Sequence, residues 1–237
     1  MKRSILLVTL VCFGLVGFTM VTNSEGPGTL AYQEQQTGEN VAFQWSFGAM
    51  VGSGKTSKFV SVTRDTVLKS GDEIKMFVQL TKECYVYVIY AGPKGEVSLL
   101  FPYDFKQFSS DYELGKNYYI PKGRTWNKLD KTTGRETFYV LGSSERLLEL
   151  EAKIGDYVAA KDDAKKDNLS KDIVAEIRNV KKRFKNFATI AEKPLTIGGN
   201  VRSLEKQQEV KRPDVSTVAT QISANNFYSK TFTIDHQ

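Results

Sequence analysis

The chain is 237 residues long, 41% hydrophobic and 11% aromatic, with a formal net charge of +6. That apolar content is ample for one ordinary core, and so small a basic excess excludes an argument for nucleic acid as a partner. One histidine and two cysteines leave little material for a zinc site, so no metal and no cofactor is expected.

The first element is a leader. Lys2 and Arg3 precede an apolar run from Ile5 to Val21, and the polar TNSEGPG follows. A charged start, an apolar middle and a small polar exit predict a secretory signal peptide over 1–31. Cleavage fits after Ser24, with Thr22 at minus three, or after Ala31, with Thr29 there. Gly14, Gly17, Thr9 and Thr19 dilute the run, whereas a bilayer needs about 20 mostly apolar residues. An uncleaved N-terminal anchor is the alternative, and the one membrane contact the reading allows. The expected location is periplasmic or extracellular. Removing the leader takes Cys12 with it and leaves Cys84 without an intramolecular partner. Cys84 shares a face with Val86 and Val88 in CYVYVIY, so it reads as a small buried side chain.

Residues 32–237 read as a single β-rich domain. A polar stretch (Gln33 to Asn40) comes first. Strands are expected from FVSVTRDTVL (Phe59 to Leu68), after which Ser70-Gly71-Asp72 turns the chain. EIKMFVQL places Ile74, Met76, Val78 and Leu80 on one face at period two, as a half-buried strand requires. CYVYVIY is apolar on both faces and predicts a central strand covered on both sides. Gly92-Pro93-Lys94-Gly95 makes a hairpin loop into EVSLLF, which Pro102 ends. The stretch from Tyr103 to Trp126 is irregular and rich in aromatic residues. Leu129 to Gly134 turns the chain, and ETFYVLG (Glu136 to Gly142) returns to strand.

The period then changes. Leu147, Leu150, Ile154 and Tyr157/Val158 follow three-four spacing and predict an amphipathic helix from Ser144. KDDAKKDN reads as a charged, poorly structured link. Leu169-Ser170 looks like the start of a second helix, with Ile173, Ile177, Val180, Phe184 and Phe187 on its inner face and Pro194 and Gly198-Gly199 beyond its end. The hairpin is expected over 144–193 and closing strands over 215–235. The fold class predicted is α+β, sheet-dominated: an antiparallel β-sandwich-like core with an inserted helical hairpin.

Few motifs carry chemistry. Ala49 to Thr56, AMVGSGKT, fits a relaxed phosphate loop, but the following SKFVSVTRDTVL alternates as a strand, and a phosphate loop must open a helix. No nucleotide is expected. His236, the only histidine, is penultimate, where chain is usually mobile, and a Ser-His-Asp or Cys-His arrangement needs it folded into a cleft. Asp72, Asp104, Asp111, Asp130 and Glu136 read as turn formers or surface charges. A two-carboxylate hydrolase needs its acids close only in space, so it stands as an alternative function.

Binding is the better prospect. Tyr103, Phe105, Phe108, Tyr112, Tyr118, Tyr119 and Trp126 are interleaved with Lys106, Lys116, Lys122 and Arg124. Aromatic rings beside cations suit stacking on sugars or clasping a peptide; capping the end of the β core is the bland account of the same rings. A long loop without strand alternation is uncommon unless functional. Tyr112, Tyr119, Lys122, Arg124 and Trp126 are the expected ligand-binding residues. The cluster Arg178, Lys181, Lys182, Arg183 and Lys185 reads as a solvated helix face.

The order of these elements resembles an exported bacterial family, domain of unknown function 4384. The resemblance rests on Ser70-Gly71-Asp72, Tyr85-Val86-Tyr87, Gly95-Glu96, Leu99-Leu100-Phe101-Pro102, Ile120-Pro121, the strand from Gly134 through Val140, and the Ile234-Asp235-His236 near the end. It is best over Phe59 to Ser143. Cys84 departs from it, standing where a glycine or other small residue is more usual. The resemblance implies an accessory or ligand-binding role and carries over no catalytic residues. The function expected is an exported, non-enzymatic binding or accessory module of the cell envelope, its partner an envelope protein, peptide or glycan. A carboxylate-dependent glycan hydrolase and a structural assembly subunit are the alternatives.

Overall fold

The computed structural model describes residues 39–185, 190–194 and 212–237. The expectations for the leader (1–31), Phe187 and Gly198-Gly199 lie outside the described residues.

Strand β1 (Val41–Val51) opens the fold. Val41, Phe43, Trp45, Phe47 and Ala49 point into the main core, and Ala42, Gln44, Ser46 and Gly48 alternate with them, as period two demands. Strands therefore begin at Val41 and not at Phe59. The expected strand Phe59–Leu68 is in fact two: β2 (Lys58–Ser61) and β3 (Thr66–Leu68). Asp65 breaks the run at φ 62°, a left-handed conformation that aspartate tolerates, and the Thr63 amide donates to Thr66 Oγ1.

The remaining strands are β4 (Glu73–Leu80), β5 (Tyr85–Ala91), β6 (Val97–Phe101), β7 (Asn117–Ile120), β8 (Asn127–Lys128), β9 (Gly134–Ser143), β10 (Ile190–Pro194), β11 (Thr220–Ala224) and β12 (Phe227–His236). The first sheet runs β10-β11-β1-β4-β7, with β2 added to β1 and β8 to β4. The second runs β3-β12-β9-β5-β6. The pairing of β3 with β12 is parallel; the other ladders are antiparallel. Phe43, Trp45, Phe47, Met76 and Val78 from the first sheet meet Val88, Phe138, Val140 and Phe232 from the second. The fold is a sheet-dominated α+β sandwich.

Helix α1 (Gln107–Ser110) is one turn; α2 (Leu148–Ala159) and α3 (Asp163–Phe184) form the hairpin. Leu150, Ile154, Ile173, Ile177 and Val180 pack on Tyr87, Ile89, Leu141 and Phe227. The hairpin thus covers the outer face of the second sheet, which is why β5 is apolar on both sides. The charged stretch expected to be a link is helical. Asp162 caps α3 by accepting the Lys165 amide at 2.7 Å, which satisfies one of the orphan donors of a helix start. The hairpin ends at Phe184, and residues 190–194 form an edge strand.

The outer face of the first sheet is covered more thinly. A 3-10 turn, Val215–Val218, lies against it: Val215 and Ala219 pack on Phe77, and Ser46 Oγ donates to the Val215 carbonyl at 2.6 Å. Phe59 lies over Gly48, where a Cβ would stand 2.3 Å from its ring. Among the described residues, this turn and Phe59 are the cover that packs on Phe77 and Gly48.

Candidate functional site: a cleft on the outer sheet face

The edge of the first sheet is built from β7 and β8, which pair successively with β4. Between them the chain leaves the sheet at Ile120 and returns at Asn127. What shapes this excursion is Lys75. Ile74 and Met76 point into the core, so period two sends Lys75 to the outer face. There it is 5% exposed. Its ammonium donates to the carbonyls of Pro121 (3.2 Å), Gly123 (2.9 Å) and Thr125 and lies 5.4 Å from the Tyr119 ring centroid. Burial lowers its pKa, and the Asp214 carboxylate partly offsets this. One buried cation thus gathers three carbonyls of a loop that has no ladder of its own.

The result is a cleft of about 640 Å³ lined by Lys75, Tyr119, Gly123, Arg124, Trp126 and the Arg212–Val215 segment. Tyr119 tilts against Phe77 at 5.6 Å between centroids, and its hydroxyl donates to both Asp214 oxygens at 3.0 and 3.1 Å. Burial raises the pKa of this phenol. Trp126 meets Phe59 edge-on at 6.4 Å and is half-buried, while Arg124 is exposed. Arg212 forms a two-pronged ion pair with Glu73, at 2.9 and 2.8 Å. The cleft therefore offers two aromatic surfaces, a tyrosine–aspartate pair and the Arg124 guanidinium. That combination suits a ligand with a flat apolar face and an acidic or hydroxyl-bearing edge.

Of the five residues expected to form the site, Tyr119, Arg124 and Trp126 are brought together here. Lys122 belongs to the same loop, but its ammonium stands over the Tyr103 ring at 5.3 Å and does not line the cleft. Tyr112 is elsewhere. Its ring stacks on Phe101 at 5.9 Å and meets Phe108 edge-on at 4.9 Å, and its hydroxyl accepts the Val86 amide at 2.8 Å. Burial pushes its phenol pKa well up. Together with Tyr103, Phe108 and Tyr118 it caps the end of the sandwich. Placing Tyr112 in a shared site with Trp126 is thus corrected. Lys75, Arg212 and Asp214 were missed. Period two alone signals that Lys75 faces outward, but nothing local places Arg212 and Asp214 beside it.

Two expected surface groups prove internal. His236 is 2% exposed and Glu136 6%. His236 Nδ1 lies 2.7 Å from Glu136 Oε1, and Nε2 lies 3.1 Å from Ser70 Oγ. The β12–β9 and β12–β3 ladders set these positions. The turn around Asp72 is as expected, but Asp72 is itself buried, accepting the amides of Gly52 and Lys69. The glycine loop before β2 carries only a 3-10 turn, Gly54–Thr56, and then a strand. No helix among the described residues is long and apolar enough to cross a membrane.

No curated protein and no solved structure matches the chain. Residues 67–146, about a third of it, match the family model described as Domain of unknown function (DUF4384). The matched stretch runs from β3 to the threshold of α2, and Lys75, Tyr119, Arg124 and Trp126 fall within it.

Proposed function

We propose that this protein is an exported binding or accessory module of the cell envelope, and that it holds an extended envelope peptide or glycan in the outer-face cleft. The observation that carries the reading is the joint placement of Tyr119, Arg124 and Trp126 around one concavity, on a loop anchored by a buried lysine. A rigid sheet beneath and a loop above is the usual division between scaffold and recognition. Preorganisation by Lys75 lowers the ordering cost that binding would otherwise carry.

A second cleft, of about 480 Å³, is lined by Glu96, Asp130 and Glu136 together with Tyr90 and Phe138, and it supports the alternative of a carboxylate-dependent glycan hydrolase. Each acid has an internal partner: Glu96 accepts the Lys94 amide, Asp130 the Thr132 amide, and Glu136 faces His236. Glu96 and Asp130 so engaged serve their own turns, and Glu136 is turned to His236 and not paired with a second acid, so the binding reading is preferred.

Tryptophan emission tests it. Trp45 is sealed in the core and Trp126 lines the cleft. Titration with peptidoglycan stem peptides and with cell-wall glycan fragments should shift emission in the wild type and leave Trp126→Phe unchanged. Retention should fall about tenfold or more in Arg124→Ala. Binding that survives both substitutions places the ligand elsewhere.

A further inference from the structure

The alignment of Ser70, His236 and Glu136 has no part in the cleft. Ser70 opens the turn between β3 and β4 and is exposed. The turn is firmly held. Asp72 accepts the amides of Lys69 at 2.8 Å and Gly52 at 2.9 Å. The Ser70 amide donates to the Gln237 carbonyl and the Gly71 amide to that of Leu129, both at 2.9 Å. Burial raises the Glu136 pKa and the His236 contact partly offsets this; as a carboxylate it only accepts, which puts the proton of a neutral imidazole on Nδ1, facing Glu136. Nε2 is then the acceptor for the Ser70 hydroxyl. A surface hydroxyl, an imidazole behind it and a buried carboxylate fixing the tautomer are nucleophile, base and orienting group in the order acyl transfer needs.

We propose that Ser70 is a reactive serine, with His236 as its general base and Glu136 as the positioning residue, and that it takes small esters with good leaving groups. Ser70 Oγ attacks the ester carbonyl carbon while its proton passes to His236 Nε2. The carbon–oxygen bond to the leaving alcohol breaks, and the alcohol departs with that proton. Water then adds to the acyl-serine by the same exchange, releasing the acid and restoring Ser70. The amides of Ser70, Gly71 and Asp72 all donate within the fold, so no backbone donor of the turn meets the developing oxyanion. The neighbouring cation is Lys128, whose Cε would lie 3.8 Å from a Cβ on Gly71. It lines the cleft that holds Gly71 and the one that holds Glu136. A centre without backbone oxyanion donors is confined to donors whose leaving group already departs easily.

This goes beyond the binding reading, because Ser70 does not line the aromatic cleft, and either can fail alone. The test exposes the folded chain to a fluorophosphonate probe and to 4-nitrophenyl acetate, with the adduct mapped by peptide mass spectrometry. A single adduct at Ser70 is expected, absent in Ser70→Ala and formed about 100-fold more slowly in His236→Gln. Ser70→Ala should keep the melting temperature and the Trp126 response of the wild type. If His236→Gln does not fold, the comparison of folded with denatured wild type decides, since only a built site makes Ser70 selective. No adduct at Ser70, or the same yield in denaturant, overturns the proposal and leaves the three residues as a clasp between strands. Labelling that is unchanged in a folded His236→Gln variant overturns it equally.

Discussion

The phenol of Tyr87 on β5 donates to the carboxylate of Glu151 on α2 at 2.6 Å, fixing where the helical hairpin lands on the second sheet. The same oxygen accepts the Leu147 amide at 3.0 Å, and Arg146 donates to both Glu151 oxygens. Glu151→Ala leaves a buried hydroxyl and a guanidinium without their acceptor. An orphaned buried group costs about 1–3 kcal/mol, and urea unfolding should show a loss in that range. Glu151→Gln, which keeps an acceptor for Tyr87, should lose less.

Tyr112 and Trp126 should behave as opposites. Removing the Tyr112 ring empties an aromatic stack and strands the Val86 amide, so Tyr112→Ala should cost about 3–5 kcal/mol. Trp126 is half-buried at a rim, and Trp126→Ala should cost less while removing ligand retention. Chemical denaturation and binding, measured on both variants, check the pair. Equal loss of stability in the two would mean that the cleft wall is core.

Lys75→Met tests the anchor of the loop. Three carbonyls lose their common donor, at a cost of about 1–3 kcal/mol. Ligand retention should fall with it, although Tyr119, Arg124 and Trp126 are untouched. Red-shifted emission from Trp126 would report that the loop has come away; unchanged binding would show that Lys75 does not organise it.

Cys84 should be inert while the protein is folded. It is 3% exposed, its thiol lies 3.7 Å from the Ala42 carbonyl, and burial pushes its pKa up to about 11. The thiolate is the reactive form. Maleimide should therefore modify Cys84 only in denaturant, and Cys84→Ala should fold with a loss of about 1 kcal/mol. Rapid modification of folded protein is the contrary result.

Acid should loosen β10. Glu192 on β10 accepts from Tyr228 at 2.9 Å and from Lys230 at 2.6 Å, both on β12. Burial acts to raise its carboxyl pKa, but these partners outweigh it and hold the group below its ordinary 4.5. The unfolded chain therefore takes up the proton first. The contribution is fully present above pH 4.5 and is lost as pH falls through the lower folded value. Hydrogen exchange of the β10 amides should quicken in that window, and Glu192→Gln should abolish the pH dependence.

Much of the sandwich was legible because period two survives in β4, β5 and β9, where bulky residues alternate or fill both faces. β1 carries the same alternation, yet small residues at Ala42, Ser46 and Gly48 thin its outer face, and the adjoining AMVGSGKT draws the eye to a loop. The first turns of α3 lack an apolar face, so only the Asp162 cap marks their start. The site was legible in its loop and not in its supports. Tyr119, Arg124 and Trp126 stand within eight residues of one another, whereas Asp214 reaches Tyr119 across 95 positions. Glu136 and His236 lie 100 apart. Such pairs are made by strand register, which no local pattern announces.

The placement of β11 and β12 governs the order in which the chain can fold. β11 joins β10 to β1 in the first sheet, and β12 joins β3 to β9 in the second. Neither sheet can close before residues 220–236 are available, so a nascent chain displays β1, β3 and β9 as unsatisfied edges until those residues have emerged. Pairings of such long sequence separation are slow to form, and exposed edges of this kind invite association with other chains. A chaperone that shields β-edges during synthesis should raise the yield of this protein more than one that acts on the helical hairpin, which is complete some fifty residues earlier.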